Sequence, residues 1–289
     1  MTIKRRSIWD IIGDIIIWLF LAAIALITVI PFVYVIAASF ATENEIITRS
    51  LFIIPKEVTL DAYRQIFSEY GTTVLRSLGV SVCVTLIGTL INLFFTTTMA
   101  YACAKPIIGR NAVLNCVLFT MVFSGGMIPL FLVVSGLGLY NTYAALILPG
   151  AISAYNMIIV KNFFQNLPAG LEEAASIDGC TDIGIFVKIA LPLSLPILAT
   201  FGLFYAVGHW NNYFGALLYL EDAEKYPFQL VLRNIVMSAN SAAQDPENLQ
   251  PEETLKMAMI VVGTVPILCV YPFLQKHFAA GVMVGAIKG

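Results

Sequence analysis

The chain has 289 residues, is 59% hydrophobic and only 12% charged, and carries a formal net charge of −2. Soluble globular domains run near a quarter charged residues, so this composition describes a polytopic membrane protein. The net charge offers no argument for nucleic acid, which calls for a concentrated basic face, and five cysteines without a C-x-x-C pair or a Cys/His cluster offer neither a structural zinc site nor a disulfide framework.

A membrane helix needs about 20 apolar residues to cross the hydrocarbon, and six runs meet that length: residues 15–38, 74–104, 112–135, 143–163, 193–218 and 257–274. The first follows Lys4, Arg5 and Arg6, the flank of a secretory signal peptide, and Ser39-Phe40-Ala41 offers small residues for cleavage. The run is too long for a signal core and long enough to span, which predicts an uncleaved first helix. With both ends inside, the inner segments hold nine of the sixteen Lys and Arg. The outer segments Ser39 to Thr73 and Tyr219 to Lys256 collect twelve of the eighteen acids. The positive-inside rule then places both termini in the cytoplasm.

Within the first outer segment, Leu60, Tyr63 and Phe67 fall at helical spacing behind Thr59 or Asp61, predicting an amphipathic surface helix that packs as a lid or meets a partner protein. Between the fourth and fifth spans lies a polar inner loop, residues 164–192. Pro168 favours a helix start there, and Glu172 and Glu173 complement its positive end. Gly179 closes that helix in a left-handed conformation, and Thr181 and Asp182 cap a second one before Pro192 and Pro196 mark re-entry into the membrane. The paired Ala174 and Ala175 permit close approach of another surface. The stretch Ser238 to Glu253 reads as a flexible excursion. No internal repeat and no second soluble domain is visible.

Glu173-Ala174-Ala175, Gly179, Ile189, Leu191 and Pro192 match E-A-A-x3-G-x9-I-x-L-P at every fixed position. On these letters the chain resembles the permease subunits of ATP-binding-cassette importers. Trp210-Asn211, Tyr226-Pro227 and the tail from Gln275-Lys276-His277-Phe278 to Gly289 extend the resemblance to the smaller permease subunit of maltose-type carbohydrate importers, the oligosaccharide and polysaccharide branch of Gram-positive bacteria. Asn212 stands where that group often has an acidic residue.

The resemblance implies an all-α integral membrane protein with the type I importer (MetI-like) permease fold, six transmembrane helices and alternating access, multi-pass in the bacterial cytoplasmic membrane. It implies as partners a second permease subunit, two cytoplasmic cassette ATPases, an extracytoplasmic solute-binding (lipo)protein, a carbohydrate substrate and membrane lipid. Glu172, Glu173, Ala174, Ala175, Asp178 and Gly179 become candidates for ATPase coupling, with Gln275, Lys276 and Gly289 of the cytoplasmic tail, residues 275–289, as a second element. The chain has no G-x4-G-K-[ST] phosphate cradle. ATP and Mg are therefore expected on the partner ATPases, with no cofactor bound by this chain, no metal site and no catalytic residue. Permeases for peptides, polyamines or phosphate-type solutes share the loop signature, and an ion-coupled carrier or a scaffold is the alternative from another class.

A sugar passage needs amide or hydroxyl groups beside aromatic faces. Asn92, Tyr155, Asn156, Phe201, Phe204, Tyr205, Trp210, Asn211 and Asn212 supply them in the second, fourth and fifth spans. Small and polar residues in membrane helices equally serve helix packing. Asp14 and His209 are the ionisable groups nearest membrane depth, where such residues are functional candidates by default; interfacial or packing roles are expected for both.

Overall fold

A computed structural model describes residues 8–49, 51–242 and 253–286, with the backbone alone at 10, 169, 238–242 and 270–286. Described residues form helices and no strand. That suits a bilayer, where each backbone N–H and C=O must be answered inside its own segment.

The helices in chain order are α1 (Ile8–Ser39), α2 (Glu43–Thr48), α3 (Asp61–Ser68), α4 (Gly71–Ala104), α5 (Arg110–Val122), α6 (Met127–Gly136), α7 (Ala144–Ile147), α8 (Ala154–Gln165), α9 (Ala169–Ile177), α10 (Asp182–Ile185), α11 (Leu191–Leu193), α12 (Leu195–Trp210), α13 (Tyr213–Tyr219), α14 (Phe228–Ala242) and α15 (Glu253–Ala286). Residues Ile11–Ser39 and Gly71–Ala104 are each long and apolar enough to cross a membrane alone. Ala144–Gly150 with Ala154–Gln165, bent by 53°, and Asp182–Leu193 with Leu195–Trp210, bent by 79°, meet the same test as pairs. The apolar run of residues 112–135 is not one helix: it breaks between α5 and α6, where Gly126 takes φ +86 and Pro129 follows. The run 193–218 likewise breaks at Asn211 and Asn212.

Two compact units divide the chain. In the first, residues 1–71 and 235–264, α1 exposes Trp18, Phe20 and Ile27 as a lipid-facing helix does. Helix α3 forms where an amphipathic helix was expected, with a different face inward. Ala62 and Ile66 are buried and Leu60 and Phe67 are exposed, because Tyr63 is drawn to Ser39, 2.8 Å between hydroxyls, and to the Phe40 ring at 5.1 Å. The buried Glu45 carboxylate accepts the Lys56 N–H at 2.9 Å and pairs with Arg49. Desolvation pushes this carboxyl up, but those N–H and guanidinium partners outweigh it and hold Glu45 below its ordinary value. Glu43 accepts the Glu253 and Thr254 N–H groups, an acid answering the open start of α15.

The second unit, residues 72–234 and 265–289, has two apolar cores. Val84, Val134, Leu146, Ile147, Ala216, Tyr219 and Leu230 form one from α4, α6, α7, α13 and α14. Ala100, Cys103, Val117, Met157, Val160, Phe164, Ala190, Phe201 and Tyr205 form the other, nearer the motif loop.

The segment after Tyr219 contains α14 before the stretch expected to be flexible. Its Phe228 N–H donates to the buried Ser81 hydroxyl at 2.8 Å. The Ser238-to-Glu253 stretch is helical to Ala242 and again from Glu253; residues 243–252 lie outside the described ones. Helix α15 runs on to Ala286, so the segment from Gln275 is helical as far as that residue. Gln275 and Lys276 are placed by backbone only, and Gly289 lies outside the described residues.

Candidate functional site

The loop between α8 and α12 is built by local chemistry. Pro168 occupies the N-cap of α9, and Glu172 sits in its first turn, where the helix dipole favours an acid. At the other end Cys180 N–H donates to the Ala175 carbonyl at 2.9 Å and Gly179 N–H to Ser176 at 3.1 Å, with Gly179 at φ +80. This is the Schellman closure, which needs a left-handed residue. The Thr181 hydroxyl then accepts the Gly184 N–H at 3.2 Å and caps α10. Pro192 and Pro196 supply no N–H to the carbonyls one turn earlier. In this region the chain widens into a π turn, Phe186–Ala190, and bends by 79° into α12.

The faces of α9 differ. Ala175 is buried, whereas Glu173, Ala174, Asp178 and Gly179 are exposed, beside Ile177 at 87% exposure. Ile183 on α10 is also exposed. Two large apolar side chains thus stand outward on a short, polar loop.

Glu172 turns the other way, into an ion pair with Lys105, the residue after α4. The Lys105 ammonium stands 4.9 Å from the Tyr101 ring centroid, one turn back, and the Tyr101 hydroxyl is 3.5 Å from Glu172 Oε1. The same ring packs on Phe186 at 4.8 Å and Phe164 at 5.4 Å. An open groove of about 940 Å³ lies between the end of α4 and α9–α10, lined by Tyr101, Lys105, Glu172, Ser176, Ile183 and Phe186 among others. The sequence placed Lys105 among the inner cations but gave neither it nor Tyr101 a role at this loop. The available signal was a cation and an aromatic four residues apart at the end of the second span, on the side to which an acid-bearing loop was assigned.

The residues expected to line a passage do not converge. Asn92 is fully buried, donates to the Gly150 carbonyl at 2.6 Å, and its Oδ1 lies 2.6 Å from His209 Nε2. Gly88 makes room for that ring: a Cβ on it would fall 2.5 Å from His209 Nε2. Tyr205 is buried with its hydroxyl 2.8 Å from Thr96 Oγ1. Phe201 and Trp210 are buried as well, and Asn212 caps α13 by accepting the Gly215 N–H at 2.9 Å. Tyr155, Phe204 and Asn211 are exposed and Asn156 is half-buried.

On the opposite side from Lys105 in the expected topology, Asn141, at φ +59, accepts the Glu221 and Asp222 N–H groups and donates to Asp222 Oδ2 at 2.8 Å. Lys225 reaches both the Asn141 carbonyl and Asp222. Lys225 first, and then Asn141, hold the Asp222 carboxyl below its ordinary value. His209 does pack between helices, as expected of it, while Asp14 lies on α1.

A family profile described as binding-protein-dependent transport system inner membrane component matches residues 97–284, which contain the whole motif loop. The chain belongs to that family. It is 56% identical over 276 residues to the protein LplC of Bacillus subtilis, covering 94% of this chain and 93% of that one. It is 54% identical to the polygalacturonan/rhamnogalacturonan transport system permease protein YtcP of the same organism, over 96% and 98% of the two chains. Its fold superposes with a TM-score of 0.87 and 32% identity on a chain of a bacterial transporter that imports the acidic polysaccharide alginate, covering 95% and 99%. As a family member it is a multi-pass membrane permease, a transport subunit and not an enzyme. Membership implies a separate ATPase and a solute-binding protein.

Proposed function

We propose that this chain is one of two permease subunits in an importer for oligosaccharides, driven by two cytoplasmic ATPases that hold ATP and Mg and loaded from outside by a solute-binding protein. The carrying observation is α9: a helix that starts at Pro168 and is closed at its C-terminus by the Gly179 turn, presenting Glu173, Ala174, Asp178 and Gly179 outward beside the exposed Ile177. Such a rigid, exposed knob suits receipt of a push from a nucleotide-driven partner, which alternating access then turns into opening on one side and closure on the other.

Six crossings with both termini in the cytoplasm are part of this reading. Two pairings support the alternation of sides, whichever side is inner. Lys105 meets Glu172, both assigned inside, and Asn141 meets Asp222 and Lys225, all assigned outside. Helix α15, which bears Gln275 and Lys276, serves as the second coupling element. Two of the relatives are named for acidic polysaccharides, which makes uronate-containing oligosaccharides the first cargo to assay. Tyr155, Phe204 and Asn211, exposed on this chain, carry the proposed wall of the passage. Asn92, Phe201, Tyr205 and Trp210 serve the interior.

The test is reconstitution of the importer in vesicles with oligogalacturonides, maltooligosaccharides, peptides and polyamines offered in parallel. ATP-dependent accumulation of an oligosaccharide is expected. Accumulation of a peptide or polyamine instead, or uptake that an ion gradient drives without any ATPase, overturns the reading.

A further inference from the structure

Two adjacent glutamates on α9 face apart: Glu173 stands exposed, while Glu172 points inward to Lys105. Resting on the reading of α9 as the helix an ATPase pushes, we propose that Lys105 and Tyr101 are positioning residues that tie α9 to α4 and so make α4 a receiver of the stroke.

The packing of α9 gives little else to carry that displacement. Of its described side chains only Ala175 is buried, and an open groove of about 940 Å³ runs between α9 and α10 and the end of α4. Close-packed interiors transmit strain, and an open groove does not. The Lys105–Glu172 pair bridges that groove. Its cation is steadied by the Tyr101 ring, and the ring is wedged between Phe164 at the end of α8 and Phe186 in the π turn. Both flanks of the loop therefore meet the same turn of α4.

Beyond the tie α4 continues as one unbroken helix of 34 residues. Halfway along, Asn92 holds the Gly150 carbonyl, at the bend between α7 and α8, and His209, at the end of α12. A rod fixed at one end to α9 and at its middle to two bent helices moves those helices when α9 moves. Bent junctions are where such motion is absorbed.

The experiment uses the assembled importer in lipid nanodiscs, with native cysteines replaced and spin labels on α4 at Leu90→Cys and on α12 at Leu195→Cys, both exposed positions. ATP–vanadate should shift the distance between the labels. Lys105→Met should reduce the shifted population about fivefold, a typical coupling loss, while Lys105→Arg retains it. The ATPases should co-purify with every variant, which a merely structural role for Lys105 would not predict alongside a lost shift. A full shift in Lys105→Met with ATPase still bound overturns the inference alone, as does the absence of a shift in the unmodified importer. Failure of any ATPase to co-purify with the unmodified chain sinks the coupling reading and this inference with it.

Discussion

Around α9 the side chains of Glu173, Ala174 and Ile177 stand exposed on a helix that starts at Pro168 and is closed at its C-terminus by its own backbone. Around Asn92, by contrast, polar groups are answered across the chain: Asn92 by Gly150 and His209, Thr96 by Tyr205. The first region is locally complete and waits for another molecule. The second holds together only because segments more than fifty residues apart meet. Damage to the first should therefore cost function at constant stability, and damage to the second should cost stability together with function.

The sharpest test of that division is Gly179→Pro. Proline fixes φ near −65°, and Gly179 sits at +80 and donates its N–H to Ser176. The Schellman closure is lost, α9 loses its fixed direction, and ATP-driven uptake should fall to background while the membrane level of the chain stays that of wild type. Uptake measured per unit of chain by immunoblot decides it; normal uptake would remove α9 from the mechanism. Gly179→Ala keeps the N–H and strains only the left-handed backbone, at about 1–2 kcal/mol, so it should show a partial version of the same defect.

At the other pole, Asn92→Leu leaves the Gly150 carbonyl and the His209 ring without their partner. A buried unsatisfied group costs about 1–3 kcal/mol, read as a lower unfolding temperature in detergent. Substrate moved per ATP should fall as well in the protein that survives, because Asn92 joins α4 to the α7–α8 bend and to the end of α12. Gly88→Ala attacks the same hub by crowding, since its Cβ would lie 2.5 Å from His209 Nε2. Adding His209→Ala removes the clash, so the double variant should regain part of the stability lost by the single one. A double variant less stable than both singles would mean that the glycine serves something else.

The same contrast governs what the sequence disclosed. Pro168, Gly179 and Thr181 act within four or five residues of themselves, so helix, closure and cap in the motif loop were readable from letters and spacing. Amphipathic α3 was legible as an element, but its inward face was not. The attraction of Tyr63 to Ser39 acts over 24 residues and outweighed the Leu60–Phe67 stripe. Apolar content gave the long runs but not the breaks at residues 123–126 and 211–212, because hydropathy records burial and not backbone path. Asn92 and Tyr205 carried the composition of a sugar passage, and their spacing does not show the partners, 58 and 109 residues away, against which they are buried in this chain. The tie from Lys105 to Glu172 was hidden for the same reason.

Tyr205→Phe should have a smaller effect than the Asn92 variants. It deletes one hydroxyl from a buried pair while keeping the ring, and Thr96 can turn its hydroxyl to a carbonyl of its own helix. The loss should be about 1 kcal/mol or less, visible as a small downward shift in unfolding temperature with uptake intact. A large loss of uptake at unchanged stability would return Tyr205 to the passage.

The smallest effect belongs to the far loops, where the Asp222 carboxyl is held below its ordinary value by Lys225 and Asn141. A carboxyl whose folded pKa lies below its unfolded one stabilises fully above the unfolded value, and that contribution fades as pH falls toward the folded value. Between neutral pH and the ordinary aspartate range the link from Asn141 to the residues 221–225 should therefore hold. It should loosen only under stronger acid, seen as faster amide exchange at Glu221 and Asp222 relative to the intrinsic rate. Asp222→Asn keeps the amide geometry and discards the charge, so it should exchange faster at neutral pH and lose the acid-dependent step. If the step persists in Asp222→Asn, another group in that loop is titrating, and the ion pair with Lys225 is not what fastens it.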